Sequence, residues 1–217
     1  MTDFNDYKPD HLYFVALGGS GEFGKNLNLY HWNGRWLMVD CGIAFNDEAI
    51  PGHTLVVPDI SYIERQRGKL DGLIITHAHE DHIGAVPYLW ERLKCPVYAT
   101  PFAAAFLRSK IEDNHMAEDI DLTVVEPGDY FDVGPFGCCM VPITHSIPES
   151  TMIEITTPAG RVIHTGDWKI DNAPTVGEPA DAETYKDIGN DGVLAVLSDS
   201  TNATIPGTSG DEAKVQD

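Results

Sequence analysis

The sequence predicts a mixed α/β domain in which polar, metal-binding residues follow buried strands. Short apolar runs rich in β-branched residues recur along the chain, two stretches have the composition of helices, and turn signals separate them. With 217 residues, 42% of them hydrophobic, the chain can bury one sizeable core. We therefore expect one domain over residues 1–217, with residues 1–11 and 208–217 as flexible ends.

The predicted elements follow from hydrophobic runs and the turn residues between them. Asn33-Gly34 separates two apolar runs and is the dipeptide typical of a tight hairpin turn. Pro87 fits the first turn of a helix, where a missing N–H costs little. In chain order, we expect strands at 13–17, 27–32, 35–39, 73–75, 137–143, 152–157, 161–164 and 193–197, and helices at 84–94 and 102–114.

The segment THAHEDHI at residues 76–83 predicts a metal site, because it directly follows the buried strand at 73–75. Neutral imidazole and ionised carboxylate are ligands that zinc accepts. His77 and His79 can reach one metal from an extended backbone, and Asp81 and His82, on the turn into the next helix, can reach a second. A solvated polar cluster would be the better interpretation of one isolated histidine, but the H-x-H-x-D-H spacing favours two metals.

Three further residues follow apolar strands in the same way. His145 follows the run at 139–144, and we expect it to complete the first set of histidines. Asp167 follows the strand at 161–164 and would bridge both metals. Asp40 ends the strand at 35–39 and is interpreted as a carboxylate that orients a ligand histidine rather than as a ligand.

These residues resemble the first four motifs of the metallo-β-lactamase superfamily, and longer matches resemble one β-CASP branch of it, the ribonuclease J enzymes. The resemblance runs from about residue 12 to residue 207. The matching segments are LGGSGEFGKN at 17–26, VPDISY at 57–62, THAHEDHIGA at 76–85, HSIPES at 145–150, HTGD at 164–167 and SDSTN at 198–202.

The resemblance implies an αββα sandwich, two face-to-face sheets with helices outside, in the N-terminal portion of a larger enzyme. Ribonuclease J enzymes insert a β-CASP domain after the segment matching 198–207 and then supply a late histidine ligand. No histidine follows His164 in this sequence. We therefore expect an incomplete sandwich that lacks the late strands and the β-CASP domain, and an activity that is weaker in this chain alone.

The function implied is metal-dependent hydrolysis of RNA, 5′-to-3′ exonucleolytic and endonucleolytic, in RNA processing and decay. A hydroxide held between two zinc ions would attack the phosphorus, with manganese as an alternative metal. The expected catalytic residues are Asp81, His82 and Asp167. The expected metal ligands are His77, His79, Asp81, His82, His145 and Asp167. The expected partner is RNA, without a membrane, and the full-length protein would form a homo-oligomer.

Two other interpretations remain open. The same metal motif serves small-molecule hydrolases that cleave a thioester, a lactone or a β-lactam, although the segments at 57–62 and 198–202 argue against them. An inactive fragment is the second alternative. The net charge of −20 has the wrong sign for strong binding of a polyanion, and we interpret it mainly as a solubility or salt adaptation. Part of the charge lies in the acidic segment 171–191, which we interpret as solvated surface.

Three further features of the sequence concern the compartment of the protein, its cysteines and a possible cofactor. A polar, acidic start and the lack of a long apolar run predict a cytoplasmic protein. The four cysteines form no C-x-x-C pair, so reduced, mostly buried thiols are expected. GSGEFG at 19–24 matches a dinucleotide-binding fingerprint, but a hairpin rather than a helix follows it, which favours a loop close to the metal site.

Overall fold

The computed structural model of the protein describes residues 7–45, 54–179, 181–207, 210 and 212. Within these residues, the strands are β1 (Tyr13–Gly18), β2 (Leu27–Trp32), β3 (Arg35–Val39), β4 (Ala44–Phe45), β5 (Leu55–Val56), β6 (Leu70–Ile74), β7 (Val97–Ala99), β8 (Leu122–Val124), β9 (Tyr130–Val133), β10 (Phe136–Pro142), β11 (Thr151–Thr157), β12 (Gly160–His164) and β13 (Ala195–Leu197). The helices are α1 (Ser61–Glu64), α2 (Glu80–Ile83), α3 (Val86–Leu93), α4 (Pro101–Asn114) and α5 (Ala182–Asn190).

Two large sheets organise the described part of the chain. The first has the strand order β1-β2-β3-β6-β7-β8, in which β1, β2 and β3 are antiparallel neighbours and the strands from β3 to β8 run parallel. The second has the order β13-β12-β11-β10-β9 and is antiparallel except for its β12–β13 pair. The predicted Asn33-Gly34 turn joins β2 to β3, and both of its residues have positive φ.

Central strands of both sheets are buried on both faces, which explains why the sequence shows continuous apolar runs rather than alternation. On β3, Trp36 and Met38 pack against the helices, whereas Leu37 and Val39 face the second sheet. On β10, Cys138 belongs to the core between the sheets and Cys139 to the core on the outer face. All four cysteines are free and buried, as predicted.

Three buried clusters therefore separate four layers. The largest lies between the first sheet and helices α1, α3 and α4, the second lies between the two sheets, and the third joins the outer face of the second sheet to α5. This arrangement is an αββα sandwich, and the predicted fold class is confirmed. The predicted domain range stays a prediction, and most of the expected flexible ends, at 1–6, 208, 209, 211 and 213–217, lies outside the described residues.

The short strands β7, β8 and β9 and the helix α5 were missed by the sequence analysis. The first three have three or four residues each, too few to show a period. Helix α5 lies in the acidic segment 171–191, which was interpreted as solvated surface. That interpretation is wrong for Asp171, which is buried and accepts hydrogen bonds from the Lys169 ammonium and the Ala173 amide.

The buried histidine of β2 makes the fold sensitive to acid. His31 is packed between the rings of Tyr7 and Trp36, at centroid distances of 3.9 and 4.6 Å. Burial, with a smaller contribution from the charge of Lys69, lowers its pKa from 6.5 to about 4. The unfolded chain therefore binds the proton more tightly, and stability present above about pH 6.5 is lost as the pH falls towards 4.

We expect His31→Phe to remove part of this acid sensitivity. The shift of His31 corresponds to a loss of about 2 kcal/mol of unfolding free energy between pH 7 and pH 5, which the variant would not show. Urea denaturation at both pH values measures it. His115→Asn, which replaces an exposed imidazole, is the control. An equal loss in the wild type and in His31→Phe would contradict the prediction.

Candidate metal centre

The ends of four strands from both sheets meet at one edge of the sandwich. Asp40 directly follows β3, His77 follows β6, His145 follows β10 and Asp167 follows β12. Backbone hydrogen bonds join the two sheets there, since Thr151 N donates to the carbonyl of Thr76. The candidate ligands thus come from segments whose positions are fixed by the sheets.

The first group of potential metal ligands consists of His77, His79, His145 and Asp167, whose donor atoms all lie within 4.8 Å of one another. His79 Nδ1 lies 3.1 Å from His77 Nε2 and 3.0 Å from His145 Nε2. A tetrahedral zinc site with Zn–N bonds of about 2.0–2.1 Å has ligand–ligand edges of roughly 3.3–3.4 Å. His79 Nδ1 is therefore spaced from each of the other two nitrogens almost as one metal requires.

The second group consists of Asp81, His82 and Asp167. His82 Nε2 lies 3.5 Å from Asp81 Oδ2 and 3.2 Å from Asp167 Oδ1. Asp167 belongs to both groups, and its other oxygen, Oδ2, lies 3.7 Å from His145 Nε2. One carboxylate thus presents one oxygen to each group, and the structure brings all six predicted ligands together. Their role as ligands stays a prediction.

Asp40 lies behind the two groups and is completely buried. It accepts hydrogen bonds from Thr76 N at 2.8 Å and from His82 Nδ1 at 2.7 Å. The Thr76 hydroxyl donates to Asp40 and lies 2.9 Å from His77 Nδ1, from which it can accept. Holding the proton on Nδ1 of both histidines leaves each Nε2 lone pair free for a metal.

Burial keeps the histidines of the first group neutral. It lowers the pKa of His77 well below 6.5 and lowers the pKa values of His79 and His145 as well. For His82, burial also lowers the pKa, but the charges of Asp40 and Asp167 outweigh it and raise the value to about 10. A cation at His82 Nε2 must therefore displace a proton, so metal uptake by the second group strengthens as the pH rises.

A glycine-rich loop between β1 and β2 closes one side of the site. Its last residue, Asn26, donates from Nδ2 to Asp81 Oδ2 at 3.2 Å and lies 3.0 Å from His82 Nε2. The loop therefore lies beside the metal centre, as predicted for the dinucleotide-like segment. This role of Asn26 could not be predicted from the sequence, because an asparagine after a glycine-rich loop has no distinctive chemistry until the fold places it.

Gly42 allows this part of the site to close. The segment after Asp40 runs against helix α2, with Cys41 N donating to the His82 carbonyl at 2.7 Å. A Cβ atom on Gly42 would lie 1.6 Å from the carbonyl oxygen of Asp81. Both sides of this contact are backbone segments, so neither segment can move aside without displacing Asp81 and His82.

We expect Gly42→Ala to lower the free energy of unfolding by about 3 kcal/mol or more, the upper end of the usual cost of overpacking, because the added methyl meets a rigid backbone contact. It should also reduce metal binding by the second group. Denaturant unfolding and elemental analysis measure the two effects. Gly68→Ala is the matched control, since a Cβ there meets nothing within 4 Å. Wild-type stability in Gly42→Ala would contradict the close approach.

A cleft of about 650 Å³ opens over the second group. The glycine-rich loop forms part of its lining, together with Asp81, His82 and Asp167. The segment 198–202 also contributes, through Ser198, Asp199, Ser200 and Thr201. The second group of candidate ligands is thus accessible from solvent through this cleft.

The αββα sandwich with a histidine and aspartate cluster at its edge defines a metallo-β-lactamase fold. The sequence profile of the metallo-beta-lactamase superfamily matches residues 22–199, and the chain belongs to this superfamily.

Among its relatives, the chain is similar to ribonuclease J of Sinorhizobium meliloti, with 45% identity over 212 residues, which cover 96% of this chain and 38% of that protein. Ribonuclease J of Corynebacterium glutamicum is 42% identical over 205 residues, 94% of this chain and 28% of that protein. Ribonuclease J 1 of Streptococcus pyogenes is 39% identical, over 95% of this chain and 36% of that protein. The chain spans about a third of the length of these relatives.

Solved structures support the fold. A protein of unknown function from Enterococcus faecalis matches 92% of this chain and 52% of its own, with a TM-score of 0.63 and 16% identity. Zinc-bound PqqB from Methylobacterium extorquens matches 85% of this chain and 66% of its own, with a TM-score of 0.54 and 15% identity. Across the described ranges, no helix has the length and apolar character needed to cross a membrane.

Proposed function

We propose that this chain carries the metal centre of a nuclease that hydrolyses RNA phosphodiester bonds. The observation that supports this most strongly is the pair of donor groups sharing Asp167, in a chain 45% identical to a ribonuclease J over 96% of its own length.

The donor chemistry fits two divalent ions. The first group offers three imidazole nitrogens and a carboxylate oxygen, a set that suits zinc. The second offers two carboxylates and one imidazole, which leaves a position for a further ligand or for substrate. We propose zinc in both, with manganese as the alternative because imidazole and carboxylate also accept it.

When bound, the two ions supply Lewis acidity and make a water molecule nucleophilic near neutral pH. The protein's own part is positioning. Asp167 sets the distance between the two groups, and Asp40 fixes the ring of His82 and, through Thr76, the ring of His77. Rigid placement of this kind lowers the barrier because little reorganisation accompanies the reaction.

Metal-reconstituted protein and a single-stranded RNA test the proposal. We expect two ions per chain by elemental analysis and RNA hydrolysis that chelation abolishes and added metal restores. One ion per chain would indicate a half-built centre. A chain that binds no metal, or that binds two ions and leaves RNA intact, would contradict the proposal.

The mode of cleavage is proposed to be 5′-to-3′ exonucleolytic and endonucleolytic. A linear RNA with a 5′ monophosphate should release nucleotides from that end, and a circular RNA, which has no end, should be opened only by the endonuclease. A chromogenic β-lactam, a thioester and a lactone serve as comparison substrates. Rapid hydrolysis of any of these with no attack on RNA would favour the small-molecule hydrolase instead.

A further inference from the structure

An exposed phenylalanine at the tip of the glycine-rich loop has no role in the metal chemistry. Phe23 is 77% exposed and lines the cleft that contains Asp81, His82 and Asp167. Burying a large apolar ring away from water is favourable, so a group that covers an exposed ring gains binding free energy. Because Phe23 lines the same cleft as the candidate metal ligands, the group that covers its ring would be part of the molecule that enters this cleft.

Backbone hydrogen bonds of the residues that follow Phe23 hold the C-terminal side of the loop in place. Lys25 N donates to the Ile43 carbonyl at 2.9 Å, and Asn26 N donates to the Asp81 carbonyl at 3.0 Å. Gly24 has a φ of +72°, and a Cβ on it would lie 3.0 Å from the Ile43 carbonyl oxygen. The loop is thus fixed against the same backbone that carries Asp81, and it presents the ring from a defined position.

The charges of the cleft limit how a polyanion can be bound there. Among the described residues that line it, none is a lysine or an arginine. Lys25, nearby on the loop, pairs with Glu22 at 2.9 Å. With a net charge of −20, this chain cannot supply much affinity through phosphate contacts outside the metals. Stacking of a base on an aromatic ring needs no positive charge and tolerates any base.

We propose that Phe23 is a positioning residue that stacks on a nucleobase of the RNA strand whose phosphate enters the metal centre. This inference rests on the proposed function and adds to it the part of the substrate that the loop recognises. Binding should consequently depend on bases and only weakly on salt, because few counterions are released when few cations contact the phosphates.

Anisotropy with metal-loaded protein tests the proposal on two non-hydrolysable ligands, a short oligoadenylate analogue and an analogue of the same length whose nucleotides are abasic. Phe23→Ala should weaken oligoadenylate binding roughly 5- to 150-fold, the range for the loss of one stacked base. Phe23→Trp should restore binding. Both variants should bind the abasic oligomer as the wild type does, since it keeps the phosphates and lacks the bases.

Tyr130→Ala is the matched control, because Tyr130 is also 77% exposed but lies on strand β9, away from the cleft. It should bind both ligands like the wild type. Thermal unfolding and metal content of Phe23→Ala should also equal those of the wild type, since the ring is exposed and outside the ligand groups.

Four results would overturn the proposal. Full affinity of Phe23→Ala for oligoadenylate, in a protein whose wild type cleaves RNA, would refute the stacking role and leave the proposed function intact. Equal losses on the abasic oligomer would indicate a backbone contact or a displaced loop. A change in the size of the protein in solution without a base-dependent loss would assign Phe23 to a protein partner. If the wild type neither binds nor cleaves RNA, the proposed function fails together with this inference.

Discussion

Asp167→Ala should abolish RNA hydrolysis and reduce the metal bound at both ligand groups. Asp167 presents Oδ1 to His82 and Oδ2 to His145, so its removal takes one donor from each group. Loss of a single group that stabilises a transition state costs about 10²–10³ in rate. Because Asp167 serves two groups, we expect a loss of at least roughly 10³-fold. Elemental analysis and cleavage of labelled RNA measure the two effects.

The folded state should tolerate this change, which makes the result interpretable. Burial alone would raise the pKa of Asp167, but the hydrogen bond and charge of His82 lower it, and in the absence of metal the carboxylate pairs with that imidazole. Asp119→Ala, which removes an exposed aspartate from the loop after α4, is the control and should keep its metal and activity. If Asp167→Ala retained both ions and full activity, the shared carboxylate would have no part in the centre.

The positions of the candidate ligands could be predicted because each segment that carries them is short and has a fixed relation to a strand. His77, His79, Asp81 and His82 lie within the six consecutive positions 77–82, so their proximity required no knowledge of the fold. Predicting that His145 and Asp167 lie near this segment required two further expectations. One is that the strands end at one edge of a sandwich, and the other is that the two sheets meet there. The resemblance to a known superfamily supplied the second.

What could not be predicted is the backbone and side-chain support around the ligands. Asn26 approaches His82 because its backbone N–H donates to the Asp81 carbonyl, and because the segment 41–43 is hydrogen-bonded both to the glycine-rich loop and to helix α2. The same segment explains Gly42, which looks in the sequence like any glycine after a strand. Such contacts join residues about 40 or 55 positions apart, and no local pattern of hydrophobicity or charge marks them.

The negative charge of the chain is divided between the candidate site and surfaces away from it. Acidic residues in the cleft are partly the ligands themselves, Asp81 and Asp167, which two divalent ions would neutralise. The exposed acidic helix α5 lies on the outer face of the second sheet. The negative charge would therefore not oppose the proposed catalysis at this site, but it opposes non-specific binding of RNA elsewhere on this chain.

Asp40→Asn should selectively weaken metal binding at the second group. Asp40 Oδ2 now accepts a hydrogen bond from His82 Nδ1 at 2.7 Å, which leaves the Nε2 lone pair for a metal. The Oδ1 of the variant can still accept from Thr76 N, so its amide NH₂ would face His82. Nδ1 must then become the acceptor, the proton moves to Nε2, and the lone pair needed by the metal is lost.

We expect a 10- to 100-fold weaker affinity for the second ion, the usual cost of losing a carboxylate behind a histidine ligand. The first group should keep its ion, because the three imidazoles of that group do not contact Asp40 directly. Asp40→Ala differs in a useful way, since it leaves the buried Thr76 N–H and the His82 ring without a partner and should cost about 3–5 kcal/mol of stability. Metal titration monitored by calorimetry separates the two ions. Equal weakening of both in Asp40→Asn would mean that Asp40 supports the whole edge of the sandwich rather than the tautomer of one histidine.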